Sequence, residues 1–393
     1  MSKKRKNQQR QPQQSAKPVA PVAPAKPAPV AASSPTPAAP PRRSSLPWLL
    51  ALVPIILVAG IAVWLFTRTA PQANQSTNQQ PVQAAQPINQ STASPIPTIA
   101  RFTGAIGGVS NCRKQPPFAQ ALGFSRSTVL STAERTVKGL IIVEPAATGS
   151  NAKPRTYQHP SWTMGGYLGP NAIDQNGNIF VAPAPRVNLI DNPPERANVI
   201  YKVDAATGVM TGFLDLPAAQ APSLTNPFGV LGLTYDCDTN TMYAASVAGS
   251  SREQELGRIF RIDLSTGKVA SQLDGIDAIG LGVFNGANGK RLYFGSARTQ
   301  DVRSIELDVS GNFYGEPRIE FSLAGLGPDG NDKARKISFD RTNDMTVNGT
   351  KFTYNLAPPA AQIRASAYKF HYDASTDAWS YAETTAGPGA AVQ

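Results

Sequence analysis

The chain has 393 residues, with 37 Lys and Arg against 26 Asp and Glu, a formal charge of +11. The excess sits at one end: residues 1–45 carry nine basic side chains and no acidic one, Arg68 adds one more, and the chain from 101 onward nets +1. A nearly neutral foldable part lacks the basic footprint of a nucleic-acid binder, so no nucleic-acid partner is predicted.

Residues 1–45 are rich in Gln, Pro and Ala, with Lys3, Lys4, Arg5 and Lys6 at the start and Arg42 and Arg43 at the end. Such a segment cannot bury enough apolar surface to offset the entropy of ordering, which predicts a disordered basic tail. Residues 46–66 then read LPWLLALVPIILVAGIAVWLF, 21 residues without a charge. At ~1.5 Å per residue this matches a hydrocarbon core of roughly 30 Å and predicts one transmembrane helix. Trp48 and Trp64 lie near its two ends, as interfacial indoles do.

The basic flank predicts a cytoplasmic N-terminus and an extracytoplasmic C-terminal part. A cleavable signal peptide has a shorter lead and a shorter apolar core, so an uncleaved signal-anchor in the cell membrane fits better. Residues 67–98 are polar and low in complexity, with NQST at 74–77 and again at 89–92, and are predicted to be a flexible stalk.

From 99 to 387 the chain consists of short β-favouring runs broken by Gly, Asp, Asn and Pro, with a disordered end predicted at 388–393. One unit recurs: IIVE-PAATG (141–149), YKVD-AATG (201–208), FRID-LSTG (260–267), IELD-VSG (305–311) and FHYD-ASTD (370–377). Its acidic residues are Glu144, Asp204, Asp263, Asp308 and Asp373. Positions one and three of each run face a core in this reading, and the acid accepts hydrogen bonds from the turn that follows. A second unit has the signature of a β-hairpin: IDQNGNIFVA (173–182), YDCDTNTMYAA (235–245), FNGANGKRLYFG (284–295) and FDRTNDMTVNG (339–349). Together they describe a four-stranded antiparallel module repeated around a domain.

The D-x-x-G-N-x-[FY]-V-A turn followed by [YF]-[KR]-[VI]-D-x-x-T-G resembles the blades of β-propeller proteins of the gluconolactonase, NHL and quinoprotein-repeat kinds. The resemblance implies an all-β domain, a β-propeller of about five to six four-stranded blades. Residues 98–110 are expected to add a strand that closes the ring with the last blade. A pair of β-sandwiches is the competing architecture.

The resemblance implies little about activity. Gluconolactonase-like enzymes hold a divalent metal with Glu, Asn and Asp from different blades, and no such set can be matched here position by position. Quinoprotein repeats carry a docking tryptophan after the turn, whereas VMTGF (209–213) and KVASQ (268–272) have none. DCDTN, with Asp236, Asp238 and Asn240, opens like a calcium loop, but Thr241 and Val247 stand where Gly and Glu are required. His159 and His371 are the only histidines and are read as structural or solvated. No GxSxG elbow, HExxH helix or phosphate-cradling loop occurs.

Cys112 and Cys237 lie beyond the predicted membrane helix, where one disulfide can form; two separate thiols are the alternative. Insertions at 183–198, 247–257 and 355–365 fall between the two halves of a blade and are expected on one face of the ring. Arg186, Asp191, Glu195, Arg196, Arg252 and Glu253 are the charged groups they present for recognition. The reading is a membrane-tethered binding or scaffold module for a protein or glycan, without catalytic residues or a predicted cofactor. The alternative is a metal-dependent lactonase or esterase, for which calcium is the metal to test.

Overall fold

The computed structural model describes residues 104–132, 136–147, 149, 152–184, 189–221, 223–328, 330–355 and 365–386. The predicted tail, membrane helix and stalk lie outside these residues. No helix among the described residues is long and apolar enough to cross a membrane.

Five antiparallel sheets follow one another along the chain after a short first strand, β1 (Gly107–Gly108). The first blade holds β2 (Val129–Ser131), β3 (Ile141–Glu144) and β4 (Arg155–Tyr157). The second holds β5 (Leu168–Ile173), β6 (Ile179–Pro183), β7 (Val199–Val203) and β8 (Met210–Asp215). The third holds β9 (Val230–Asp236), β10 (Thr241–Ser246), β11 (Arg258–Asp263) and β12 (Lys268–Asp274). The fourth holds β13 (Ala278–Gly286), β14 (Gly289–Ser296), β15 (Asp301–Leu307) and β16 (Phe313–Ser322). The fifth holds β17 (Lys333–Phe339), β18 (Met345–Thr350), β19 (Ser366–Asp373) and β20 (Ala378–Ala386). Each is an up-and-down meander, and β13, first strand of its blade, packs against the first strands β9 and β17 on either side. This is a five-bladed β-propeller.

Side-chain alternation puts an apolar face on each blade, and from blade one to blade five successive blades bury these faces against each other. Separate cores fill the successive joints: Trp162 with Ile179 and Tyr201, then Phe180 with Tyr235 and Phe260, then Tyr243 with Leu292, then Phe284 with Ile337 and Phe370. The repeat phase holds in the last four copies, where Tyr201, Val203, Phe260, Ile262, Ile305, Leu307 and Phe370 are buried and Lys202, Arg261, Glu306 and His371 are not. In the first copy it is inverted: Ile142 is buried and Ile141 and Val143 are half-buried. Among the described residues that blade has three strands, and its β3 lies between β2 and β4.

The joint between blades four and five depends on small residues. A Cβ on Gly295 of β14 would lie 2.0 Å from the Ala334 carbonyl oxygen, so only hydrogen fits between these backbones.

The turn chemistry follows the sequence unit. Asp204 Oδ1 accepts from the amides of Ala206 and Thr207, at 3.1 and 2.9 Å, and Asp263 Oδ1 from that of Ser265, at 2.8 Å. Gly208 and Gly267 then turn the chain at φ 72° and 68°, and in the last copy Asp377 takes this conformation at φ 51°. Glu144 departs from the pattern, since its Oε1 accepts from the Ser125 amide at 2.9 Å.

The N-terminal strand also departs from expectation. β1 pairs with β13 of the fourth blade, Gly107 opposite Asn285 and Gly108 opposite Phe284, and not with the last blade. The chain then donates from Val109 to Val283 and accepts at Val109 from Cys237, which draws it under the third blade. Cys112 and Cys237 form a disulfide with Cα atoms 5.8 Å apart. Beyond it, the short helix α1 (Pro117–Ala121) docks Phe118 on the Ala205–Gly208 turn of blade two.

Candidate functional site

Strand alternation sends the second-to-third loops of every blade, and the loops between blades, to one face. The described residues of the three insertions belong to this loop-bearing face. Its centre is Asp277, whose carboxylate is closed off from solvent immediately before β13. One oxygen accepts from Ser250 Oγ and from the Gly257 amide at 2.8 Å. The other accepts from Arg298 Nε at 3.0 Å and from the Tyr354 hydroxyl.

Arg298 extends the network. Its Nη1 and Nη2 donate to the carbonyls of Arg252 and Ser251 at 3.0 and 2.8 Å, and Glu255 lies 3.4 Å from its Nε. Glu255 in turn accepts from the Asp277 amide at 2.9 Å. Loops of blades three, four and five are thereby tied to one buried carboxylate. Beneath them Phe228, Val247, Ile279, Ala297 and Phe352 form a small apolar core. Burial and the bond to Asp277 push the Tyr354 phenol above its ordinary range, so it holds its proton. Lys333 donates to the carbonyls of Ala297 and Arg298, and burial, with the Arg298 charge, lowers its pKa. These groups are saturated with internal partners; chemically the network is a clamp.

The charged residues read from the insertions fall into two groups around it. Asp191 lies 2.5 Å from Lys138 Nζ, and its neighbour Asn192 bonds both backbone groups of Tyr167. Glu195 and Arg196 are exposed on the single 3₁₀ turn Pro194–Arg196, with the Arg196 guanidinium 5.6 Å from the Tyr201 ring centroid. Arg252 and Glu253 are exposed beside the clamp, Glu253 accepting from Ser251 Oγ at 3.1 Å. Arg186 lies outside the described residues.

Sequence reasoning missed Asp277, Arg298 and Tyr354. They belong to no repeat unit, and Asp277 and Tyr354 are 77 positions apart. The one local signal was an acid, in GIDAIG, opening an apolar inner strand.

On the opposite, hairpin-turn face, Asp236 and Asp238 of DCDTN receive an internal cation. Lys290 Nζ lies 2.9 Å from Asp236 Oδ2, both side chains fully buried, and 2.8 Å from Oδ2 of the partly exposed Asp238. An ammonium therefore stands where a calcium loop would place its ion, and this turn does not fit calcium. Further positive charge gathers nearby on the inner strand of blade five. Arg335 and Lys336 stand between Ala334 and Ile337, which pack on blade four, and burial, then the charges of Arg113 and Arg335, lower the Lys336 pKa. Repulsion of this kind opposes a divalent cation there.

The two histidines have structural partners. His159 Nδ1 accepts from the Ser161 amide at 3.2 Å, capping the 3₁₀ helix Pro160–Gly165. His371 Nδ1 lies 2.7 Å from Asp344 Oδ1, rather than beside Asp373, with its ring more than half exposed.

No protein-family model matches the chain, and no curated protein matches it in sequence. Among solved structures it is similar to a luciferin-regenerating enzyme, with TM-score 0.40 and 11% identity over 72% of this chain and 80% of that one. It is also similar to the Dos1 propeller (TM-score 0.35, 9% identity, 66% and 57%). A glucose dehydrogenase gives TM-score 0.32 and 11% identity over 55% and 74%. Likeness at this level carries no argument about activity.

Proposed function

We propose that this chain is a membrane-tethered, extracytoplasmic propeller that acts as a binding or scaffold module for a protein or glycan, through its loop-bearing face. The observation that carries the reading is the Asp277 clamp. It fixes the loops of three blades with bonds that are all internal, and so holds Arg252 and Glu253 on a rigid frame at its edge. A preformed surface loses little conformational entropy when a partner docks. The tether rests on the apolar run 46–66 and on the basic residues that precede it.

The lactonase or esterase reading needs a divalent cation held by carboxylates. Lys290 neutralises the most metal-like pair, and the cationic group around Lys336 opposes such an ion.

The test uses the purified full-length chain. Metal analysis and melting with and without a chelator come first; stoichiometric calcium whose removal lowers Tm would overturn the binding reading in favour of the enzyme. Partner capture from the cell envelope is then compared between the natural chain and the fourfold variant E195A/R196A/R252A/E253A. A partner held by the first and lost by the second is the expected result. Equal capture by both would show that the loop-bearing face is not the binding surface.

A further inference from the structure

A second feature lies away from the loop-bearing face, where residues 110–119 pass beside the first two blades. They enclose a recess of about 410 Å³, within the size range of small-ligand sites. Arg113, Lys114 and Arg126 line it, and no carboxylate does so among its described lining residues. None of the three cations is in an ion pair with a described residue; Arg113 Nε donates only to the Ser110 carbonyl, at 2.9 Å. Thr128 adds a hydroxyl oxygen that is shut off from solvent and has no hydrogen-bond partner among the described residues. Ser110, Asn111 and Gln115 add polar wall, and one part of the lining is hydrocarbon, from Leu130 and from the buried side chains of Ile142 and Ile179.

We infer that this recess binds a small amphipathic anion, a phosphate or carboxylate head group attached to a hydrocarbon body. Arg113, Lys114 and Arg126 are exposed residues that put three like charges on the lining of one space, and an anion among them offsets their repulsion with charge-assisted hydrogen bonds. The apolar wall gives the other half of the argument. A bare inorganic anion leaves it wet, whereas a hydrocarbon chain covers it and gains the hydrophobic term.

The experiment measures binding to the full-length chain in phosphatidylcholine nanodiscs by calorimetry and by Tm. The probes are hexyl phosphate, inorganic phosphate and hexanol. Hexyl phosphate is expected to raise Tm in a concentration-dependent way and to bind at least tenfold more tightly than either fragment. Arg126→Glu, at an exposed position, is expected to weaken it about tenfold or more while the variant melts as the natural chain does. Arg113→Gln provides a second reading at another lining residue.

Phosphatidylglycerol nanodiscs that raise Tm in the natural chain and not in Arg126→Glu identify a lipid head group as the source of the anion. An effect confined to free hexyl phosphate identifies a soluble ligand. Binding of hexyl phosphate no tighter than of inorganic phosphate, or equal binding by Arg126→Glu and the natural chain, overturns the inference.

Discussion

The ammonium of Lys290 lies 2.9 Å from the Asp236 carboxylate, and neither side chain is exposed to solvent. Lys290 belongs to the 284–295 hairpin and Asp236 to the 235–245 hairpin, so the pair joins blades three and four across the repeat. Removing the cation alone leaves buried negative charge. Lys290→Met is therefore expected to cost about 3–5 kcal/mol. Equilibrium urea unfolding checks this, and adding Asp236→Asn and Asp238→Asn to the variant should recover a large part of the loss.

Asp277 accepts from four donors in three loops. Asp277→Ala strands Arg298 and Tyr354 at once, and a loss of about 3–5 kcal/mol is expected. Hydrogen exchange should show the effect concentrated in 247–257 and 296–300. A loss spread evenly over all five blades would contradict the clamp.

The Cys112–Cys237 disulfide closes a segment with a sequence separation of 125. Loop-closure entropy for a segment of this size is worth about 2–5 kcal/mol. Reduction, or the double serine variant, should lower the urea midpoint accordingly and raise the m-value, because the unlinked unfolded chain is more expanded.

Acid stability follows from the turn aspartates. Hydrogen bonds from Thr207, Ser265 and Ser375 hold the carboxyls of Asp204, Asp263 and Asp373 below the ordinary aspartate range. Above the unfolded-state pKa of about 4 all three are ionised in both states and their stabilisation is complete. It declines as pH falls below that value, because the unfolded chain takes up protons first. Urea midpoints from pH 7 to pH 2 should be level and then fall, and Asp263→Asn should make the fall shallower.

Gly295→Ala tests the joint between blades four and five. Its methyl group would meet the Ala334 carbonyl oxygen at 2.0 Å, a backbone atom that cannot swing away. A destabilisation of about 3 kcal/mol is expected, at the upper end of ordinary overpacking. A Tm equal to that of the natural chain would mean that the two blades can separate freely.

The propeller was legible because its information is local. The Asp of each turn, the Gly after it and the two-residue alternation in YKVD or FRID all act within one hairpin. Glu144 kept the letters of the unit and lost its geometry, because in a three-stranded blade the Ser125 amide is the nearer donor. The pairing of β1 was not legible either. Gly107 and Gly108 have no side chains with which to mark a register, and their partners lie far away in sequence, at Asn285 and Phe284. The site was less legible still. Arg252 and Glu253 could be named as exposed charges, but Arg298, which holds their loop, looked like any arginine after a strand.

The route of the chain past Cys112 has a mechanical consequence. Tension arriving from the N-terminal side meets the two β1 pairs with β13 and then the covalent link to Cys237. Force thus passes into blades three and four before it can reach residues 113–157. The first blade, with the shortest strands in the ring, is shielded from load by a single bond.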